Sequence, residues 1–341
     1  MRKLKVGVIG CGSIARYRHL AEYQAHENVE ITAVCDVVQE RALEMAEKFG
    51  AAAYTDYQEL LKNGEIEAVS ICTPNALHAP MSITALQSGK HVLCEKPMAT
   101  SLAEAEAMIE AAKVNKKKLM IAHNQRFVPS HDKAHELIQA GDLGRIYSFR
   151  TAFGHGGPEG WSIDGANSWF FDKKQAFIGA MGDLGVHKTD LMRFLLNEEF
   201  TEVAAFIETN AKQNTEVDDN AVFILKTENG IIGTLAASWS YGAKEDNSTI
   251  IYGEKGILRL EDDPDHSLII HYTNGQTVKE NLGGIQTNEE GGQEDSGVIT
   301  RFIKSILLDT VPPVNGDEGM KSLKVILGAL DSNKTKKIIT L

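Results

Sequence analysis

Two stretches of this chain hold residue types that could move protons or stabilise charge. The first is Glu95-Lys96-Pro97, which ends the apolar run His91-Val92-Leu93-Cys94. Lysine is almost never fully buried unless it is paired or used, and ligands of open α/β sheets sit beyond the carboxyl ends of the strands. Chemistry is therefore expected at Lys96. The second stretch is Gly182-Asp183-Leu184-Gly185-Val186-His187, followed by Asp190. On a helix over 182–196, Asp183 and His187 are four residues apart and share a face. Asp190 continues that face, and Leu191, Phe194 and Leu195 pack on the other side. Alone, a Glu-Lys-Pro is a surface turn and an Asp/His pair is a capping pair. Their meaning depends on the elements that hold them.

The first half of the chain supplies a frame for Lys96. Lys5-Val6-Gly7-Val8-Ile9 reads as a strand of small and β-branched residues. Gly10-Cys11-Gly12-Ser13-Ile14-Ala15 then opens a helix that runs to about residue 24. In this G-x-G-x-x-A pattern Gly10 allows the tight turn and Gly12 lets a pyrophosphate approach the backbone. Ala15 keeps the helix close to the sheet. Amides at the helix start, from Ser13 and Ile14, face the phosphates. A second strand, Ile31-Thr32-Ala33-Val34-Cys35, ends in Asp36, roughly 20 residues past the turn, where a carboxylate holds ribose hydroxyls. An acid there, followed by Val37 and Val38, repels a 2′-phosphate, so NAD is expected over NADP.

The β-α pattern continues. Helices are expected over 38–49, 57–62 and 102–115, with strands over 51–54, 68–72, 91–94 and 119–122, giving a doubly wound parallel sheet. Thr73-Pro74-Asn75 follows the strand over 68–72 and precedes a helix opened by Leu77-His78. It can cap that helix and also set polar groups beside a cofactor. The first domain is expected over 1–124 and the second over 125–341.

After a helix over 129–140, the period changes to two. Tyr147, Phe149, Thr151 and Phe153 alternate with Ile146, Ser148, Arg150 and Ala152. Further strands are expected over 201–208, 220–227, 231–240, 249–252, 257–260 and 268–272, joined by short turns as in an antiparallel sheet. Helices over 294–308 and 317–333 can cover one face of it. Between the first of these strands and the helix over 182–196 lies a loop, 154–180, holding His155, Trp161, Asn167, Trp169, Phe170 and Phe171. Aromatic and polar groups on such a loop suit the faces and hydroxyls of a sugar.

Composition narrows the class. The 341 residues are 43% hydrophobic and 24% charged, with a net charge of -12. An acidic balance argues against nucleic acid as a partner. Cys11, Cys35, Cys72 and Cys94 form no C-x-x-C pair, so no metal site is expected, and they read as reduced thiols. No run is long and apolar enough to span a bilayer. The first strand leaves no room for a signal peptide, and the cytoplasm is the expected location.

Taken together, Val8-Ile9-Gly10-Cys11-Gly12, Cys72-Thr73-Pro74-Asn75 with His78, Glu95-Lys96-Pro97, Asn124-Gln125-Arg126-Phe127 and Gly182 to His187 with Asp190 resemble the Gfo/Idh/MocA family of sugar and inositol oxidoreductases. The resemblance covers essentially the whole chain. It implies a Rossmann domain followed by an α+β domain with an open, mostly antiparallel sheet. It also implies a nicotinamide cofactor, and Lys96, Asp183 and His187 as the catalytic group. Glu95, Asn124 and Trp169 join the glycine turn, Asp36, Thr73, Pro74, Asn75 and His78 as expected cofactor contacts. Arg126, His155 and Trp161 join the catalytic group as expected substrate contacts. In such a site His187 takes a proton from a secondary hydroxyl and Lys96 faces the alkoxide. Family members usually pair through the open sheet face, which implies a homodimer or homotetramer. Two other readings stay open: an NAD-dependent glycoside-cleaving enzyme whose redox step is transient, and a non-catalytic dinucleotide-binding sensor. The second is disfavoured because a sensor has no need of Lys96, Asp183 and His187 together.

Overall fold

The computed structural model describes residues 2–285 and 295–341. The chain forms two compact units. One comprises residues 1–123, 161–169 and 286–320, the other 124–160, 170–285 and 321–341.

The first unit is built on six parallel strands: β1 (Leu4–Ile9), β2 (Val29–Cys35), β3 (Ala52–Tyr54), β4 (Ala68–Ile71), β5 (His91–Cys94) and β6 (Leu119–Ile121). Their order in the sheet is β3-β2-β1-β4-β5-β6. The order reverses between β1 and β4, the place where open α/β sheets bind ligands. Register sets Ile9 level with both Cys35 and Ile71, and Ile71 level with Cys94. The residues that follow, Gly10, Asp36, Cys72 and Glu95, therefore emerge along one edge. Val6, Val8, Val69, Ile71, Val92 and Leu93 are buried, as continuous apolar strands in a sheet covered on both faces must be.

The helices of this unit are α1 (Leu20–Ala25), α2 (Gln39–Phe49), α3 (Tyr57–Lys62), α4 (Asn75–Gln87) and α5 (Leu102–Val114). A π-helical stretch, Ala15–His19, runs straight into α1, so the helix expected to about residue 24 forms, with its first turns π-wound. Asp56 and Ser101 accept from Gln58 and Glu104 amides, and so cap α3 and α5.

The second unit opens with α6 (Pro129–Gln139), followed by β7 (Ile146–Gly154), the short α7 (Lys173–Ala176) and α8 (Val186–Leu196). Then come β8 (Phe200–Glu208), β9 (Asn220–Thr227), β10 (Ile232–Ser238), β11 (Thr249–Gly253), β12 (Gly256–Leu260), β13 (Leu268–Tyr272) and β14 (Thr277–Glu280). The nine-stranded sheet runs β14-β13-β12-β11-β7-β10-β9-β8-β15, with β15 at Ile339–Thr340. Every neighbouring pair is antiparallel except β10 with β7. Strands β14 and β15 escape a sequence reading because each is too short to show a period.

One face of this sheet carries Phe149, Val203, Phe223, Leu225 and Leu235, all buried. Gly233 lets the Phe149 ring lie against the strand, since a Cβ there would stand 2.4 Å from the ring. Helices α6 and α8 pack against each other, and Gly185, just before α8, sits where a Cβ would be 3.3 Å from that of Ala237 on β10.

Two more helices complete the chain, α9 (Val298–Leu307) and α10 (Gly316–Thr335). The helix expected over 294–308 to cover the sheet belongs instead to the first unit. Its expected first residue, 294, lies outside the described residues. Ser296, just ahead of α9, donates to Glu22 of α1 from both backbone and hydroxyl, at 2.9 and 2.5 Å. Helix α10 does reach the sheet: Asn333 accepts from the Ile207 amide and donates to its carbonyl, at 3.3 and 3.1 Å.

Candidate active site

The first unit builds a dinucleotide turn and a charged tripeptide on the same sheet edge. Gly10 has φ +93, and a Cβ there would lie 2.3 Å from the Cys72 carbonyl oxygen. Only glycine fits. A Cβ on Gly12 would meet nothing within 4 Å, so the space over that backbone is open to an approaching group. Asp36 accepts from the Cys11 amide and the Val38 amide, each at 2.8 Å. Its carboxylate thus ties the first βα turn to the second. Asp36 and burial together push the Cys11 and Cys35 thiols up to about 12, burial being the larger cause. All four cysteines are free and buried.

Beyond β4, the Thr73 hydroxyl is buried and makes no hydrogen bond among the described residues. A buried hydroxyl in that state costs free energy unless a ligand engages it. The open space over Gly12, the level carboxylate of Asp36 and this hydroxyl together fit a nicotinamide dinucleotide. His78 was expected as a direct contact. It is buried, with Nε2 2.8 Å from the Thr73 carbonyl and Nδ1 2.7 Å from that of Pro97. It therefore clamps the Thr-Pro-Asn turn to the Glu-Lys-Pro turn. Burial pushes its pKa down, against the pull of two carbonyls that the imidazolium alone would satisfy together. Asn75, the first residue of α4, is buried too.

Glu95 is the centre of a buried polar cluster. One oxygen accepts from His19 Nε2 at 2.9 Å and Arg18 Nη1 at 3.4 Å, while the other accepts from the Lys96 amide at 3.3 Å. His19 Nδ1 lies 2.9 Å from Ser70 Oγ, which in turn lies 2.8 Å from the Tyr23 hydroxyl. Burial would raise the Glu95 pKa. The His19 hydrogen bond and the charges of Arg18, His19 and Lys96 override it and hold the carboxyl at about 2. The ionised Glu95 thus fixes the backbone from which Lys96 projects, half-buried. Sequence reading missed Arg18, His19 and Tyr23. Their signal was there in principle: polar residues at the start of a helix that must pack on a sheet.

The second unit carries Asp183 and His187. A π-turn, Met181–Gly185, leads into α8. Asp218 caps it, accepting from the Gly179 and Met181 amides at 2.7 Å each. Gly179 is required there, since a Cβ would stand 1.8 Å from the Asp218 carbonyl oxygen. A carboxylate suits the positive end of the helix, although burial raises the Asp218 pKa. Sequence reading missed Asp218 as well.

Asp183 is buried and accepts from Trp239 Nε1 at 3.2 Å. The Trp239 ring is fully buried and meets Phe170 and Phe171 edge-on, at 6.2 and 5.9 Å between centroids. His187, one turn on, lies 5.9 Å from the Phe153 ring, and Phe153 meets His155 edge-on at 6.0 Å. His155 Nδ1 accepts from the Gly157 amide at 2.9 Å. Asp183, His187 and His155 thus share one neighbourhood of the second unit.

Arg126 and Asp190 form an ion pair within the second unit. Arg126 donates to both Asp190 oxygens, at 2.6 and 2.7 Å, and its guanidinium lies over Phe194 at 5.5 Å. Asp190 also accepts from Ser322 at 3.0 Å. Arg126, expected to touch substrate, anchors the Asn124–Phe127 turn to α8 through this pair. Gln125 in that turn donates to Asn247 at 3.1 Å, and Asn124 is buried. Trp161 and Trp169 belong to the first unit. There the Trp161 carbonyl accepts from Ser13 Oγ at 3.3 Å. Among the described residues no group of three or more His, Cys, Asp or Glu could hold a metal ion, and no helix is long and apolar enough to cross a membrane.

A six-stranded sheet of this order, with an open glycine turn and an acid after β2, defines a dinucleotide-binding unit. Residues 4–123 match the family described as "Oxidoreductase family, NAD-binding Rossmann fold", and residues 131–259 match the "GFO/IDH/MocA C-terminal domain". The chain belongs to the Gfo/Idh/MocA oxidoreductase family. It is 31% identical to levoglucosan dehydrogenase of Pseudarthrobacter phenanthrenivorans over 76% of this chain and 73% of that relative. It is 25% identical to myo-inositol 2-dehydrogenase of Thermotoga maritima over 99% and 98%. Among solved structures, aldose-aldose oxidoreductase from Caulobacter crescentus, complexed with glycerol, superposes with a TM-score of 0.85 at 26% identity, covering both chains fully. The family and its fold agree with the expectations drawn from the motifs, as does a nicotinamide-dependent enzyme acting on CH–OH groups.

Proposed function

We propose that this protein oxidises a secondary hydroxyl of a sugar, inositol or related polyol, or reduces the matching ketone, with NAD in preference to NADP. The observation that carries the reading is the Asp183–His187 face of α8, with Asp183 held by Trp239 and His187 backed by Phe153. It occurs in a chain whose other unit presents Lys96 on a fixed Glu95. A nicotinamide dinucleotide held at the glycine turn would supply the acceptor or donor of the hydride. His187 takes the hydroxyl proton as general base. Lys96 sets its ammonium against the developing alkoxide, and Asp183 orients the imidazole or pairs with Lys96. Backbone at Gly12, Ser13 and Ile14 receives the pyrophosphate, and Asp36 the ribose hydroxyls. Thr73, Pro74, Asn75, Glu95, Asn124 and Trp169 are assigned to the cofactor's nicotinamide side. His155 and Trp161 are assigned to the substrate.

The names of the relatives point to the first substrates to try. A screen of levoglucosan, inositols, aldoses and glycosides with NAD, read as NADH, tests the reading. NADH formation with at least one polyol is expected. Cleavage of a glycoside without net NADH would replace it with the transient-redox alternative. The free buried thiols suit a reducing compartment, and we place the protein in the cytoplasm. We assign the open sheet face to self-association, as a homodimer or homotetramer.

A further inference from the structure

Ser13, in the glycine turn, is held by a distant piece of chain. The Ile163 amide donates to Ser13 Oγ at 3.0 Å, and that hydroxyl donates to the Trp161 carbonyl at 3.3 Å. The same piece of loop brings Asp164 into an ion pair with Arg41. Arg41 stands in the first turn of α2, five residues after Asp36. Its charge, like that of Arg16, bears on the Cys11 thiol in the glycine turn. Both guanidiniums beside the turn are already matched. Arg16 meets Glu44 through two contacts of 2.7 Å, and Arg41 meets Asp164.

A 2′-phosphate on the adenosine ribose needs a cation next to the position that Asp36 serves, because a guanidinium binds phosphate through paired N–H donors. Arg41 is placed for that work by its position after β2. The geometry points to Asp164 as a cofactor-selectivity residue: by pairing with Arg41 it withholds that guanidinium from a 2′-phosphate. Selectivity then has two parts, repulsion by Asp36 and cancellation of the cation that would reward NADP. Exclusion by a built-in mismatch is a common route to specificity. The partner is supplied by the loop over 161–169, far from the nucleotide fingerprint in sequence, so the fingerprint alone does not show it. This inference rests on the dinucleotide reading and extends it.

The test is equilibrium binding of NADH and of NADPH to the full chain by calorimetry, which needs no substrate. In Asp164→Asn the ratio of the NADPH to the NADH dissociation constant should fall by about tenfold relative to wild type. Asp164→Glu, which keeps the charge, should hold the wild-type ratio. Adding Arg41→Ala to Asp164→Asn should abolish the gain. A ratio unchanged in Asp164→Asn, or a gain that survives loss of Arg41, overturns the assignment. Failure of the wild type to bind NADH would instead overturn the dinucleotide reading beneath it.

Discussion

Lys188, the residue after His187, is a fully buried lysine that the proposed chemistry does not use. Its Nζ donates to the Asn247 carbonyl at 2.7 Å and to Thr249 Oγ1 at 3.4 Å. It therefore ties α8 to the start of β11. Burial pushes its pKa down to about 7, although Glu261, Asp246 and Glu245 pull it up. Its charge in turn helps hold the His131 imidazole down at about 3, after the larger effect of burial. The sign of the linkage follows. Between about 7 and 10.5 the unfolded chain holds a proton that folded Lys188 has released, so this residue makes stability rise with pH across that window. Lys188→Met should remove the slope, at most about 1.4 kcal/mol per pH unit. Urea unfolding of both proteins from about pH 7 to about pH 10 checks it. The wild-type advantage should grow with pH, and a constant difference would contradict the assignment.

The residue scale is also where the sequence was least informative. Lys96, Asp183 and His187 stand in motifs that the chain shows directly, and the family resemblance groups them. Their supports are not so marked. Glu95 depends on His19, 76 residues away, and Asp183 on Trp239, 56 away. Nothing local in the chain marks those partners. Arg126, Asp190 and His78 were visible as polar motif residues, yet the contacts that occupy them come only with folding.

At the scale of elements, the strands were the most legible part. The apolar runs of the parallel sheet and the alternation in β7 and β9 give type and order directly, because period and burial are read from side chains alone. What escaped was the assignment of α9. An amphipathic helix shows that it must cover something, not what it covers. The outer face of the second sheet raises the converse question. Phe206 on β8 is 72% exposed, and Val222 and Ile224 on β9 and Ile232 on β10 are also exposed. Phe206 lies level with Val222, and Ala204 with Ile224. Exposed apolar patches mark interaction sites, and these residues lie on three neighbouring strands. Phe206→Glu should convert the associated species to a lower mass in light scattering at micromolar concentration, with the fold retained by circular dichroism. A wild type that is already monomeric would contradict self-association through this face.

At the scale of the molecule, each unit carries its own share of the polar groups. The first carries the nucleotide turn and an ammonium, the second an imidazole held on a capped helix. The proposed function assigns Lys96 and His187 separate tasks in hydride transfer, and the task of His187 can be tested by itself. The most direct measurement is turnover and NADH affinity of His187→Ala with whichever polyol the screen identifies. A fall in kcat by about 10²–10⁴ with NADH binding unchanged is expected, the range for loss of a general base. A variant that keeps most of its turnover would contradict the account.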